Sequence, residues 1–192
     1  MPGSFIGRGA IRRLWPADRE AFAAHLLRLD GDSRRKRFQG FVSNSFLQGY
    51  AERSIKTLTV FYGYFDAGTL RAVAELHLIH PSWPAQAEAA FSVEASYQEH
   101  GIGTELFKRI IDAARNRSVS DVTFHCLTSN SAMRGLCKKF GGKIVFDQDE
   151  AVGTIPSSMP TPMSLMREAI SGSVGIAKAM LDEELRLIKA AG

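Results

Sequence analysis

Six consecutive residues, Gln98-Glu99-His100-Gly101-Ile102-Gly103, with Thr104 after them, carry the densest chemistry in the chain. Two glycines at this spacing let backbone N–H groups approach an anion closely and turn toward it. The apolar stripe Leu106, Phe107, Ile110, Ile111 and Ala114 begins at once, so the glycines open a helix. A helix N-terminus adds partial positive charge, which suits a pyrophosphate. A plain strand-to-helix turn that uses glycine for geometry would read the same way. Two other phosphate motifs fit worse. A dinucleotide fingerprint needs a third glycine where Leu106 stands, and a Walker-type loop needs Lys-Ser/Thr where Thr104 and Glu105 follow Gly103.

Upstream lie three groups able to move a proton. Glu88 sits in Ala87 to Ala95, a stretch that reads as a strand, and Glu75 and His77 sit in the strand-like Leu70 to His80. A lone Glu or His on a strand also serves structure or faces solvent. Downstream, Asn130 can cap the helix that runs to Phe140 and ends at Gly141-Gly142.

The elements that must position these residues follow from periodicity. Ile11 to Trp15 reads as a first short strand. Asp18 reads as the N-cap of a helix with Phe22, Leu26 and Leu29 on one face. Asp30 to Phe38 is polar and basic and reads as a loop with a short turn. Asn44 to Arg53 has helical spacing. Leu58 to Phe65 and Leu70 to His80 read as strands joined by a hairpin turn at Asp66-Ala67-Gly68. After the loop Pro81 to Gln86 and the strand with Glu88 come the glycine-opened helix, a strand at Val122 to Leu127, a helix at Asn130 to Phe140, a strand at Lys143 to Phe146, and a last strand at Val152 to Ile155. Strands alternating with helices predict a mixed α/β sheet with helices on both faces. Pro156 to Pro162 reads as a linker between a domain over 1–155 and an appendage over 156–192. In that appendage Met163 to Ile170 and Ile176 to Ile188 read as helices. The stripe Ile176, Met180, Leu181, Leu185 and Ile188 needs an apolar partner, either the domain or a second copy.

Composition narrows the classes. Lys plus Arg number 24 against 20 Asp plus Glu, a net charge of +4 that suits a phosphorylated ligand but is too weak to argue for nucleic acid. No stretch resembles a signal peptide or a membrane span, and Cys126 and Cys137 have neither metal-ligand nor redox spacing. The expectation is a cytoplasmic protein with reduced thiols, no metal and no membrane or nucleic-acid partner.

The motifs taken together resemble the GNAT superfamily of N-acetyltransferases. Q-x-x-G-x-G after a strand, at Gln98 to Gly103, resembles the family's acyl-CoA pyrophosphate signature. Phe91-Ser92-Val93 resembles the strand whose exposed backbone holds the pantetheine arm. Asn130-Ser131-Ala132-Met133 through Leu136 and Lys139-Phe140-Gly141 resembles the family's second helix motif. Ser33-Arg34 through Arg37-Phe38 and Ala87-Glu88-Ala89-Ala90 resemble S-R-x-x-R-F and A-E-x-A of bacterial GNAT domains related to protein lysine acetyltransferases. The resemblance implies a GNAT fold, with a mostly antiparallel sheet splayed at an acyl-CoA cleft. It implies acetyl-CoA as cosubstrate and a primary amine as acceptor, a protein lysine or a small molecule. It implies Glu88 as base and the Val93 N–H as the group that polarises the thioester carbonyl. Phe91, Val93, Gln98, Glu99, His100, Gly101, Ile102, Gly103, Thr104 and Asn130 become the cofactor contacts. One departure stands out: Cys137 occupies the place after Leu136 where many relatives carry a tyrosine. That leaves the acid for the leaving thiolate open between Cys137, Tyr97, another group and none. It also keeps a second reading alive, a sensor of this fold that binds acyl-CoA without turnover. Beside the acceptor, Arg34-Arg35-Lys36-Arg37 could supply an anion-recognising cation and Trp83 a wall. The C-terminal helices could pair two copies.

Overall fold

A computed structural model describes residues 9–55, 59–79, 85–157 and 159–170. Trp83 and the stripe from Ile176 to Ile188 lie outside the described residues. Strand β1 (Ala10–Arg13) leads through a 3-10 turn at Pro16–Asp18 to helices α1 (Arg19–Arg28), α2 (Gly31–Phe38) and α3 (Asn44–Ser54). Strands β2 (Thr59–Asp66), β3 (Thr69–Ile79) and β4 (Ala85–Val93) follow. Then come α4 (Ile102–Arg115), β5 (Val119–Leu127), α5 (Ser131–Lys139), β6 (Lys143–Asp147) and β7 (Glu150–Pro156). A further helix spans 162–170.

The seven strands form one sheet in the order β1-β2-β3-β4-β5-β7-β6. Every neighbouring pair is antiparallel except β4 and β5, which run parallel. The β2–β3 hairpin turns on Ala67 and Gly68, at φ 47° and 76°. Two left-handed residues in a two-residue loop match the twist of the flanking strands.

Alternation along the strands gives each face its own core. Val60, Tyr62 and Tyr64 of β2, Ala72, Ala74 and Leu76 of β3, and Ala87 and Ala89 of β4 pack with Ile102, Leu106, Phe107 and Ile110 of α4. Cys137 of α5 belongs to that cluster too. On the other face Phe61, Phe65 and Val73 pack with Phe22 and Leu26 of α1 and Leu47 and Ala51 of α3. The sheet therefore has helices on both faces, as the sequence predicts. Helix 162–170 rests on the end of α4, where Asn116 Nδ2 donates to the Ser164 carbonyl and to Glu168, and Arg117 pairs with Glu168. No helix among the described residues is long and apolar enough to cross a membrane.

Three local expectations are corrected. The stretch Asp30 to Phe38 is a helix rather than a loop, so three helices precede β2 instead of two. Asp30 caps it by accepting from the Ser33 N–H at 2.8 Å, and Lys36 and Asp32 pair across one turn at 2.6 Å. Asp18 stands at the start of α1 but does not cap it. Its carboxylate is taken by Arg12 at 2.6 and 2.8 Å and by the Trp15 N–H at 2.9 Å. Strand β4 runs two residues earlier than the expected Ala87 to Ala95, because Ala95–Tyr97 winds into a 3-10 turn ahead of the glycine loop.

Candidate active site

The parallel pairing of β4 with β5 stops halfway. Its register runs from Ala85 opposite Val119 to Glu88 opposite Thr123 and then ends. Beyond Glu88 the strands splay, leaving about 16 Å of strand edge over Ala89–Val93 at ~3.3 Å per residue. What that edge offers follows from the antiparallel ladder on its other side. The Glu94 N–H donates to the Arg71 carbonyl at 3.1 Å, and Ala72–Val93 is the next pair along in an unbroken register. Hydrogen-bonded and non-hydrogen-bonded pairs alternate. The backbone groups of Val93, Phe91 and Ala89 therefore point away from β3 and into the splay. The Val93 carbonyl accepts from Gln98 Nε2 at 3.0 Å.

A cleft of about 300 Å³ occupies the splay. It is lined on one side by Glu88 through Val93 and on the other by His125, Cys126 and the start of α5, with Asn130, Met133 and Leu136. The glycine loop adds Gln98, Glu99 and Gly103 to the lining, and the α2 region adds Ser33, Lys36, Arg37 and Gln39, with Gln98 Nε2 donating to the Ser33 hydroxyl at 3.1 Å. Phe91 turns its ring away from the splay to stack on Phe107, centroids 5.0 Å apart. Phe107 in turn packs on Phe124 and Phe140, which ties the diverging strands to α4.

In the glycine loop Glu99 and Gly101 take φ 61° and 82°, the left-handed conformation found in backbone turns whose N–H groups can gather around an anion. Gly101 is the N-cap of α4, and no side chain caps that end, which leaves first-turn N–H groups open to a ligand. A side chain at Gly103 would have free space ahead of it, with nothing nearer than Leu136 at 4.0 Å. Gln98, Glu99, Gly103, Phe91, Val93 and Asn130 thus come together around the cleft. His100, Gly101, Ile102 and Thr104 form the turn and first helical residues beside it, with the Ile102 side chain fully buried in the core. Asn130 caps α5, its Oδ1 accepting from the Met133 N–H at 3.2 Å.

Glu88 is the last β4 residue held by β5, and its cross-strand partner on β3 is His77. It therefore sits at the fork of the splay. The rival glutamate is committed elsewhere. Glu75 is completely buried and accepts from Arg37 at 2.6 Å, from the Tyr50 hydroxyl at 2.7 Å and from His77 Nε2 at 3.1 Å. Burial pushes its carboxyl up, but the charges and hydrogen bonds of Arg37 and His77 outweigh this and hold it at about 2. Glu75 anchors α2 and α3 and is not among the groups lining the cleft.

The two candidate acids are also accounted for. Cys137 is fully buried, and its thiol, pushed up by burial, donates to the Lys143 carbonyl at 3.5 Å. The Tyr97 hydroxyl donates to Asp66 at 2.8 Å, and that bond raises its pKa.

A second buried polar cluster has no signature in the sequence. His25 Nδ1 donates to Glu94 at 3.1 Å and its Nε2 accepts from the Ser92 hydroxyl at 2.9 Å; Arg28 and Arg71 also donate to Glu94. Burial lowers the His25 pKa, which keeps the ring neutral. Burial raises that of Glu94, but its three donors outweigh it and hold the carboxyl at about 2. The cluster fastens α1 to the end of β4, and partners 67 to 69 positions apart leave no local pattern to find. Of the basic run, Arg37 and Lys36 reach the cleft wall, while Arg34 donates to the Leu27 carbonyl and Asn44.

Known structures share this architecture. The GNAT domain of S. lividans PAT superposes with a TM-score of 0.67 at 19% identity, over 77% of this chain and 90% of that one. A cAMP-binding acyltransferase from Mycobacterium smegmatis gives 0.57 at 21%, over 89% of this chain and 52% of that one. A PaiA N-acetyltransferase from Thermoplasma acidophilum in complex with coenzyme A gives 0.58 at 18%, over 77% and 98%. At these identities the likeness is one of fold. The sequence itself matches the family described as Acetyltransferase (GNAT) over residues 28–142, a span that holds the splayed strands, the glycine loop and α5. The chain belongs to the GNAT acetyltransferase family.

Proposed function

We propose that the protein is an acetyl-CoA-dependent N-acetyltransferase that passes acetyl directly to a primary amine, of a protein lysine or a small molecule, within a ternary complex. The observation that carries this reading is the fork at Glu88. One continuous cleft runs from a carboxylate, along strand backbone that β5 leaves unpaired, to an uncapped helix N-terminus. The three parts match the needs of the reaction in order: a proton acceptor, an edge for an amide-bearing arm, and a cradle for a pyrophosphate. A relative of the same fold is in complex with coenzyme A.

In this reading the first-turn N–H groups of α4, with the backbone of Glu99 to Thr104, hold the pyrophosphate. The edge Ala89–Val93 pairs with the pantetheine amides as a strand would, and Asn130 borders the arm from the α5 side. The incoming ammonium gives its proton to Glu88, and the neutral amine attacks the thioester carbon. Negative charge that builds on the carbonyl oxygen meets a strand-edge N–H, for which Val93 is the candidate. The C–S bond then breaks as the nitrogen gives its second proton to water. The thiolate takes its proton from water at the open cleft, since Cys137 faces the core and Tyr97 is held by Asp66. Buried free Cys126 and Cys137 fit a reducing, cytoplasmic setting. Exposed Leu165, Met166 and Ile170 support pairing of two copies through the C-terminal helices, which light scattering of a Leu165→Glu/Ile170→Glu chain tests.

Calorimetric titration with acetyl-CoA, followed by free-thiol release on mixing with a panel of primary amines, tests the function. Binding with amine-dependent thiol release that Glu88→Gln removes is the expected result. Binding without release for every amine favours the sensor, and no binding overturns the reading.

A further inference from the structure

The end of β4 and the facing side of α1 hold an arrangement that amine acylation does not use. The Ser92 hydroxyl donates to His25 Nε2 at 2.9 Å, and His25 Nδ1 donates to Glu94 at 3.1 Å. Arg28 and Arg71 donate to the same carboxylate and fix it in place. Hydroxyl, imidazole and carboxylate thus stand in the order and at the spacing of a nucleophile, its base and the group that orients the base. Charge sets the direction of the bonds. An ionised Glu94 can only accept, so the proton of the neutral ring sits on Nδ1, and Nε2 faces the Ser92 hydroxyl as an acceptor. The cluster touches the cleft at Ser92, one of its lining residues. The next residue is Val93, whose N–H points into the splay. In α/β-hydrolases the N–H that follows the nucleophilic serine is an oxyanion donor, and Val93 stands in that place.

We propose that Ser92 is a second acyl acceptor: with acetyl-CoA in the cleft and no amine beside it, the Ser92 hydroxyl takes the acetyl group as an ester, with His25 as its base. The inference rests on the acyl-CoA reading of the cleft. The Ser92 proton passes to His25 Nε2 as the bond from Oγ to the thioester carbon forms, and charge on the carbonyl oxygen meets the Val93 N–H. As the C–S bond breaks, the thiolate takes that proton from His25 and the ring ends neutral. Thioester and hydroxyl become ester and thiol, and nothing else is consumed. Ser92 and His25 are the catalytic residues of this step; Glu94 positions the ring. His25 is fully buried, which keeps water from its Nε2, so the ester persists and each chain reacts once.

The test is incubation with acetyl-CoA and no amine, at a saturating concentration that calorimetry sets for each variant. Thiol release should stop at one per chain. Intact mass should rise by one acetyl group, which peptide mapping places on Ser92. Ser92→Ala should lose the label, and His25→Gln should slow it about 10²-fold or more, the lower end of general-base catalysis. Ser92→Cys should regain the label as a thioester that neutral hydroxylamine strips, a readout that a purely structural hydroxyl would not give. If His25→Gln does not fold by circular dichroism, the two Ser92 variants decide. Acetyl-CoA binding with no acetyl gain in the natural protein, label on lysines only, or labelling of Ser92→Ala or a folded His25→Gln at the natural rate overturns the triad and leaves the amine-directed reading standing. Absence of acetyl-CoA binding overturns both.

Discussion

The two faces of the sheet around the cleft present different kinds of group. On the α4 face the offered groups are backbone: uncapped N–H groups, a strand edge and a left-handed glycine. The side chains there are apolar and serve to hold the main chain, as Phe91 does on Phe107. On the α1–α3 face the working parts are side chains. Glu75 bonds with Arg37, Tyr50 and His77, and Ser92 with His25; Glu75 is held in a buried ion pair to Arg37, and Glu88 shares their face by strand alternation. A backbone site tolerates change in side chains but not in φ; a side-chain site does the reverse. Under the proposed acyl transfer, the first face would serve what every acyl-CoA shares, and the second what distinguishes one amine from another.

The sharpest test of this division separates chemistry from cofactor affinity. Glu88→Gln should lower kcat about 10²- to 10⁴-fold, the span of general-base catalysis, while calorimetric acetyl-CoA affinity stays within about 2-fold. A parallel loss of affinity would merge the two faces. Gly101→Glu does the opposite. It forces a side chain into φ 82° and adds a negative charge at the cradle, so acetyl-CoA binding should weaken about 100-fold with the fold intact by circular dichroism. The charged face should be the fragile one in stability. Arg37→Met strands the buried Glu75 carboxylate and should destabilise by about 3 kcal/mol or more in urea titration, whereas Arg37→Met with Glu75→Leu should recover much of it.

The pH profile sharpens the same point. His25 has a lowered pKa in the folded chain, so the unfolded chain binds the extra proton first. Its contribution is complete above the ordinary value of about 6.5 and is lost as pH falls below it. Glu75 and Glu94, held at about 2, contribute above about 4.5 and lose this as pH falls toward 2. Stability should therefore decline in two stages, and His25→Gln should flatten the upper one; a single acid step in both proteins would refute the assignment. The smallest effect is at Glu99, exposed and carrying negative charge beside the cradle. Glu99→Lys should tighten acetyl-CoA about 2- to 3-fold at low salt and not at high salt, which a salt series of titrations would measure.

The same division decides what was legible in the sequence. Backbone recognition needs glycines at fixed short spacing, so the loop from Gln98 to Gly103 and the α4 stripe could be read directly. The β4 carboxylate and the Asn130 cap were local as well. Helix α2 was hidden because four cations and a single aromatic carry no apolar period. Its order comes from the Asp30 cap and from Arg37 reaching Glu75, 38 positions away. Ser33 and His125 reach the cleft through that tertiary placement, and nothing beside them in the chain marks them for it. The Asp30-x-x-Ser33 spacing was the one available clue to the cap. Pairs as distant as His25 with Glu94 exist only once β4 and α1 have met.

The half-length pairing of β4 with β5 also divides the sheet mechanically. Strands β1 to β4 and strands β5 to β7 form two leaves whose shared ladder runs only over Ala85–Glu88. The leaves are also bridged by α4, with its Phe107 aromatic contacts, and by α2, which touches both β4 and β5. Such a seam is where a sheet opens first, and a ligand lying along it would act as a removable eighth strand, closing the leaves into one cooperative unit while it is bound.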